Sequence, residues 1–204
     1  MGLGARLKAT FEQFGHLRYE IGILINRRWW RILSVWTTPA CWVLVSYRLD
    51  RALFLLLGRA YGLVRVLLFP LRLLFDVLGG RHEIHYRADI GRGLVVLHPG
   101  LGIVVNARSR IGSDLVLTGG NCIGLRNVFE RGEITIGRNV NFGANAVVMG
   151  PCTIGDDVAI GAGAVVVSSA PSGSVLVGVP ARPLARTTQD TGVADLELVT
   201  QTRG

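Results

Sequence analysis

Four histidines are present, His16, His82, His85 and His98, and His98 sits where the surrounding sequence changes rhythm, in GRGLVVLHPGLGIVVN. A loop histidine bordering a groove suits general-base work, because imidazole titrates near neutral pH. Glu83 lies fifteen residues earlier, and a carboxylate can hold an imidazole tautomer and stabilise its cation. A loop histidine is also an ordinary surface residue, and spacing alone does not separate the two readings. Cys41, Cys122 and Cys152 are odd in number and widely spaced, which points to reduced thiols rather than a metal site or a disulfide framework. No metal is expected: a zinc site needs several ligands brought together, and of the histidines only His98 lies well inside the repeat described next.

Residues 136–166 carry Ile136, Phe142, Val148, Ile154, Ile160 and Val166, an apolar residue at every sixth position. A period of six fits neither the 3.6-residue helix nor a plain alternating strand. It fits a solenoid whose flat faces take six residues each and turn one side chain inward. The register extends back through Ile84, Ile90 and Val96, then through Val105, Ile111, Leu117 and Ile123, with irregularities at 97–104 and 124–135. Insertions in a solenoid map to loops on one face, often the binding face, so both irregular stretches are candidate site loops.

This register, with its recurring Ile-Gly pairs, resembles the hexapeptide-repeat acyltransferases. The resemblance implies a mainly β fold, a left-handed parallel β-helix domain over 82–186 with about five coils in 84–177 and GVPARPL closing it, and a homotrimer with active sites between subunits. EIHYRADIGRGLVVLHPGLGIVV is similar to the catalytic segment of serine O-acetyltransferases, with Glu83 at the position of an Asp and His98 at that of the catalytic His. Leu97 stands where that family has an acidic serine-binding group, and Gly132 and Glu133 stand where it has an Arg-His pair. A serine zwitterion left without those partners would bind poorly. The sequence therefore resembles more closely the serine-acetyltransferase-like branch that acetylates sugars in exopolysaccharide and colanic acid assembly. The expected function is acetyl-CoA-dependent O-acetylation of a sugar or lipid-linked oligosaccharide, with His98 as base and Glu83 as its partner. The alternatives are a serine O-acetyltransferase of cysteine biosynthesis and a non-catalytic membrane-bound trimeric scaffold.

For the acetyl-CoA donor, Gly143-Ala144 and Gly161-Ala162 lie eighteen residues apart, so they stack at one corner where small residues leave room for a thin pantetheine arm. They are equally ordinary corner residues. The resemblance places them in the acetyl-CoA groove, with Gly124 lining the reaction centre. Arg182 and Arg186 could meet CoA phosphates; they are equally ordinary solvated surface arginines.

Residues 1–81 hold 12 Lys/Arg and 4 Asp/Glu, a net charge of +8, and residues 82–204 are neutral, so all the basic excess belongs to the first part. Its longest uncharged run, 32–47, is sixteen residues and contains Pro39, short of the ~20 that span a bilayer. Arg48, Arg51, Arg59, Arg65 and Arg72 would share an arc of about 140° on a continuous helix. That pattern leads to a helical region on a membrane surface, its cations facing anionic headgroups; a soluble cap over the coil is the other reading. Nucleic acid is not an expected partner, since the cations are interleaved with large aliphatics. The first twenty residues lack the apolar core of a signal peptide, giving an expected cytoplasmic location, peripheral on the inner face of the membrane. The tail, 187–204, is polar and aperiodic and is expected to be flexible.

Overall fold

The computed structural model describes residues 2–26, 30–80, 82–127 and 132–184. From His82 onward the chain winds into a prism of short parallel strands. One face stacks β1 (His82–Ile84), β4 (Ile103–Val105), β7 (Asn121–Leu125), β10 (Val147–Gly150) and β13 (Val165–Val166). The second stacks β2 (Asp89–Ile90), β5 (Ser109–Ile111), β8 (Ile134–Ile136) and β11 (Cys152–Ile154). The third stacks β3 (Val95–Val96), β6 (Val116–Leu117), β9 (Asn141–Phe142), β12 (Ala159–Ile160) and β14 (Val175–Gly178), and β15 (Ala181–Pro183) closes it by pairing antiparallel to β14.

The six-residue register is the interior. Ile84, Val105, Ile123, Val148 and Val166 form one column, and Phe142 stacks between Leu117 and Ile160 in another; none is more than 4 % exposed. A second inward position lies two residues before register residues: Ala88, Leu94, Leu115, Val140, Ala146 and Val158, which precede Ile90, Val96, Leu117, Phe142, Val148 and Ile160, are all buried. Val148 faces Val166 at the regular step of eighteen residues. Ile84 faces Val105, a step of twenty-one, and Ile111 faces Ile136, a step of twenty-five. The two irregular stretches are therefore insertions of three and seven residues, one at the corner between the third and first faces, the other between the first and second.

The helical part comprises α1 (Leu3–Ile25), α2 (Arg31–Ser34), α3 (Pro39–Leu57), α4 (Tyr61–Leu67) and α5 (Phe69–Gly79). Pro39 opens α3, where its missing N–H is no loss. Gly58, at φ +58°, ends α3 in a conformation that penalises other residues. The α3–α4 segment and α5 meet at a bend of 79°; Pro70 in the first turn of α5 has no N–H to continue the preceding helix.

The expected single arginine edge does not exist. Arg48 and Arg51 are 1 % and 8 % exposed, because each finds partners inside the molecule. Arg48 Nε and Nη2 donate to the Glu20 carboxylate at 3.1 and 2.5 Å, and Nη1 donates to Gln13 Oε1 at 3.0 Å. The same guanidinium donates to the carbonyls of Ile90 and Gly91 at 2.8 and 2.6 Å, while Glu20 Oε1 accepts from the Gly93 and Leu94 N–H groups. Tyr47 Oη donates to Ala88 O at 2.9 Å, and burial pushes its phenol up to about 12. Arg51 pairs with Asp89 at 2.9 Å and donates to Arg87 O. The strands β1, β2 and β3 are the edges of their sheets, and along 87–94, around β2 and the approach to β3, α1 and α3 satisfy with side chains backbone groups that a preceding coil would otherwise pair.

Candidate active site

His98 follows β3 at the three-residue insertion. Its N–H donates to Thr118 O at 2.9 Å, and its carbonyl accepts from Leu101 N–H at 3.2 Å, the start of a 3-10 turn over Pro99–Leu101 that Gly102 ends at φ +87°. Under the loop lies Gly119, at φ +137°, where a Cβ would come within 2.4 Å of the His98 carbonyl. The backbone of His98 is thus fixed from both sides, while its side chain is exposed at a pocket formed with Pro39, Leu97, Pro99, Gly100 and Leu101. Leu97 and Leu101, 52 % and 59 % exposed, make the walls apolar.

Glu83 is exposed on β1, opposite Val104. Among the described residues no hydrogen bond joins it to His98. Glu83 instead acts on His85, two residues on: burial, Arg65 and Arg87 lower the His85 imidazole below its usual value, and Glu83 opposes them. His85 stacks on Tyr86 at 4.3 Å, and His82, almost fully buried, faces Gly80 O at 3.0 Å and Asp76 at 4.0 Å.

The second insertion brings in a group that reading the chain position by position misses. Glu133 enters β8 beside Arg110 of β5, with Arg110 Nε 3.0 Å from Glu133 Oε2. Both are exposed and border a polar cavity of about 330 Å³ shared with Arg51, Arg87, Asp89 and Ser109. Gly132, at φ +146°, abuts Pro151.

Gly143 and Ala162 do stack at one corner, and the contact is close: a Cβ on Gly143 would lie 2.5 Å from Ala162 N. The glycine is set there by the approach of successive coils rather than by open space. Gly161 sits against Val177 and Leu176, whereas a Cβ on Gly124 would meet only Cys122 Sγ, at 3.8 Å. Ala144 is half-buried, Ala162 exposed, and Ala144 O accepts from Gly163 N–H at 2.8 Å. Arg182 is exposed on β15; Arg186 and the 187–204 tail lie outside the described residues. The three thiols are unpaired, and burial raises each of them. Among the described residues no three His, Cys, Asp or Glu side chains gather as a metal site.

A three-sided prism of sixes with a histidine on a corner insertion defines a left-handed β-helix transferase, and the family model for bacterial transferase hexapeptide (six repeats) matches residues 133–168. The serine acetyltransferase of Helicobacter pylori strain J99 is 37 % identical over 161 residues, which cover 78 % of this chain and 88 % of that enzyme. The Staphylococcus xylosus serine acetyltransferase is 43 % identical over 117 residues, 48 % of this chain and 45 % of its own length. The fold extends to the solved serine acetyltransferase of Neisseria gonorrhoeae, with a TM-score of 0.70 and 24 % identity over 89 % of this chain and 71 % of that one. A serine acetyltransferase solved in complex with CoA gives a TM-score of 0.55 at 26 % identity, over 71 % of this chain and 55 % of that one. The chain belongs to the serine acetyltransferase family and is an acetyl-CoA-dependent acyltransferase.

This corrects the expected placement among exopolysaccharide acetyltransferases and the sugar-acetylating function drawn from it, because the relatives found are serine acetyltransferases. The charge argument at Leu97, Gly132 and Glu133 took each position alone. The fold brings Arg110 from the preceding coil against Glu133, a charge that linear matching does not see.

Proposed function

We propose that the chain transfers the acetyl group of acetyl-CoA to the hydroxyl of L-serine, with His98 as general base. The observation that carries this reading is the exposed imidazole of His98 on a backbone held rigid by Thr118 and Leu101, in a chain whose likeness to a serine acetyltransferase covers 88 % of that enzyme. His98 takes the serine hydroxyl proton as the oxygen attacks the thioester carbonyl; the C–S bond breaks, and His98 returns the proton to the CoA sulfur. Glu83 is the candidate to orient the imidazole. Gly124, Gly143, Ala144, Gly161 and Ala162 are proposed to line the pantetheine path, with Arg182 at the phosphates.

The exposed Arg110–Glu133 pair supports a zwitterionic acceptor, since it offers one cation for a carboxylate and one anion for an ammonium. In one chain that pair and His98 occupy different corners of the prism. The proposed homotrimer resolves this by placing the His98 corner of one copy beside the Arg110–Glu133 corner of the next.

The test is CoA release from acetyl-CoA by the purified chain with L-serine as acceptor. His98→Ala should lower kcat about 10²–10⁴-fold, and Arg110→Ala should raise KM for serine with kcat little changed. No turnover with serine, or full turnover in His98→Ala, would overturn the assignment.

A further inference from the structure

The helical region carries a large apolar surface that the fold does not use. On α4, Leu63, Val66 and Leu67 are 72–80 % exposed, and on α5, Phe69, Leu73 and Val77, four residues apart, are 53–73 % exposed. On α1, Leu3, Leu7, Phe11 and Phe14 repeat at helical spacing and are also exposed. The α4 and α5 stripes adjoin, Val66 and Phe69 lining one cavity, while the α1 stripe ends at a separate apolar groove of about 230 Å³ that Phe14 lines with Leu68, Leu71 and Phe75. At its far edge the Phe75 ring meets Trp42, which meets Trp36, at centroid distances of 5.8 and 6.0 Å. Exposed apolar patches of this extent mark interaction sites.

Charge identifies the occupant. Residues 1–81 hold 12 cations and 4 acids, and two of those acids are engaged inside the molecule, Glu20 by Arg48 and Asp50 by Arg72. With those two pairs set aside, residues 1–81 keep 10 cations (12 − 2) against 2 acids (4 − 2). Arg59 is exposed just before α4, and the Arg6 guanidinium lies 3.5 Å from the Cβ position of Gly58, so the two sit together where α1 meets the end of α3. Two copies of this face brought together would oppose like charges, whereas an anionic bilayer offers both hydrocarbon and negative headgroups. No single described helix is long and apolar enough to cross a membrane, and the pair that passes together is bent by 79°. That geometry fits lying in the interface, with tryptophans at its border.

We propose that the α4/α5 face docks the enzyme on an anionic membrane, its leucine, valine and phenylalanine stripe entering the headgroup boundary while Arg59, with Arg6 beside it, meets lipid phosphates. The proposal is independent of the acceptor. It replaces the arginine edge expected from the sequence, two members of which are buried.

The test is co-sedimentation of the full chain with vesicles of phosphatidylcholine alone or mixed with phosphatidylglycerol, with serine turnover assayed separately in lipid-free buffer. The full chain should sediment with the anionic vesicles and detach as salt is raised to about 1 M. Leu67→Glu with Val77→Glu, at positions 80 % and 73 % exposed, should weaken binding about tenfold or more, and Arg59→Glu alone about fivefold or more. Both variants should keep their lipid-free turnover, so loss of docking and loss of catalysis are read apart. Absence of binding to either vesicle would overturn the proposal. So would binding unchanged in both variants, or an oligomer that the Leu67→Glu/Val77→Glu variant dissolves without any vesicle binding by the parent chain.

Discussion

The prism and the helices reach order by opposite means. In the prism, backbone pairs with backbone at a fixed step, the interior is a column of interchangeable aliphatics, and charge is incidental: Arg138–Asp156, with both side chains on the surface, is typical. In the helical region no repeat exists, and position depends on a few polar side chains removed from water, Arg48 and Glu20 above all. A buried pair of this kind is a poor source of stability but a severe liability when broken. The prism should therefore tolerate many small faults, while the helices should fail at one point.

That contrast can be broken or sharpened by substitution. Glu20→Ala leaves the Arg48 guanidinium buried without its anion and should destabilise the helical region by about 3–5 kcal/mol, read by urea denaturation. Glu20→Leu with Arg48→Met should recover much of the loss, and equal loss in both would show that the carbonyl contacts of Arg48, rather than its charge, hold the helices. In the prism, Gly143→Ala forces a Cβ to within 2.5 Å of Ala162 N and should cost about 3 kcal/mol. Gly163→Ala, with nothing within 4 Å but φ +66°, should cost only about 1 kcal/mol. If the two cost the same, coil-to-coil contact is not what selects glycine at position 143.

The smallest expected effect is one of pH. The His85 imidazole is held below its ordinary 6.5 by burial first and then by Arg65 and Arg87. The unfolded chain then binds a proton before the folded one does. The His85 contribution is fully present above about pH 6.5 and is lost as pH falls below it. Melting temperatures between pH 8 and 5 should fall less steeply in His85→Gln than in the parent; parallel curves would remove His85 as a contributor.

The repeat was legible because each coil poses one packing problem and answers it with one residue type, so Ile84 through Val166 declare the interior without any alignment. The second inward position was not, since it mixes alanines (Ala88, Ala146, Ala164) with Val140, Leu94 and Leu115 and so shows no constant residue type. Both insertions could be counted from the same register, and with them the place of His98. The helical region resisted for a physical reason: period and charge cannot tell an arginine facing lipid from one paired inside, and Arg48 and Arg51 depend on Glu20 and Asp89, distant in sequence. The same limit hid Arg110 beside Glu133 and turned the acceptor reading towards sugars.

The side-chain cap over β2 and the approach to β3 has a consequence for what the molecule becomes when it is cut. A parallel stack has no intrinsic end: the carbonyls of Ala88, Ile90 and Gly91 are as ready to receive another strand as those of any coil below them. With Tyr47, Arg48 and Glu20 removed, the top of the prism is a template. A chain begun at β1 would thus be less a smaller enzyme than a seed for end-to-end growth, and the helices are in this sense the full stop that makes a repetitive sequence a finite object.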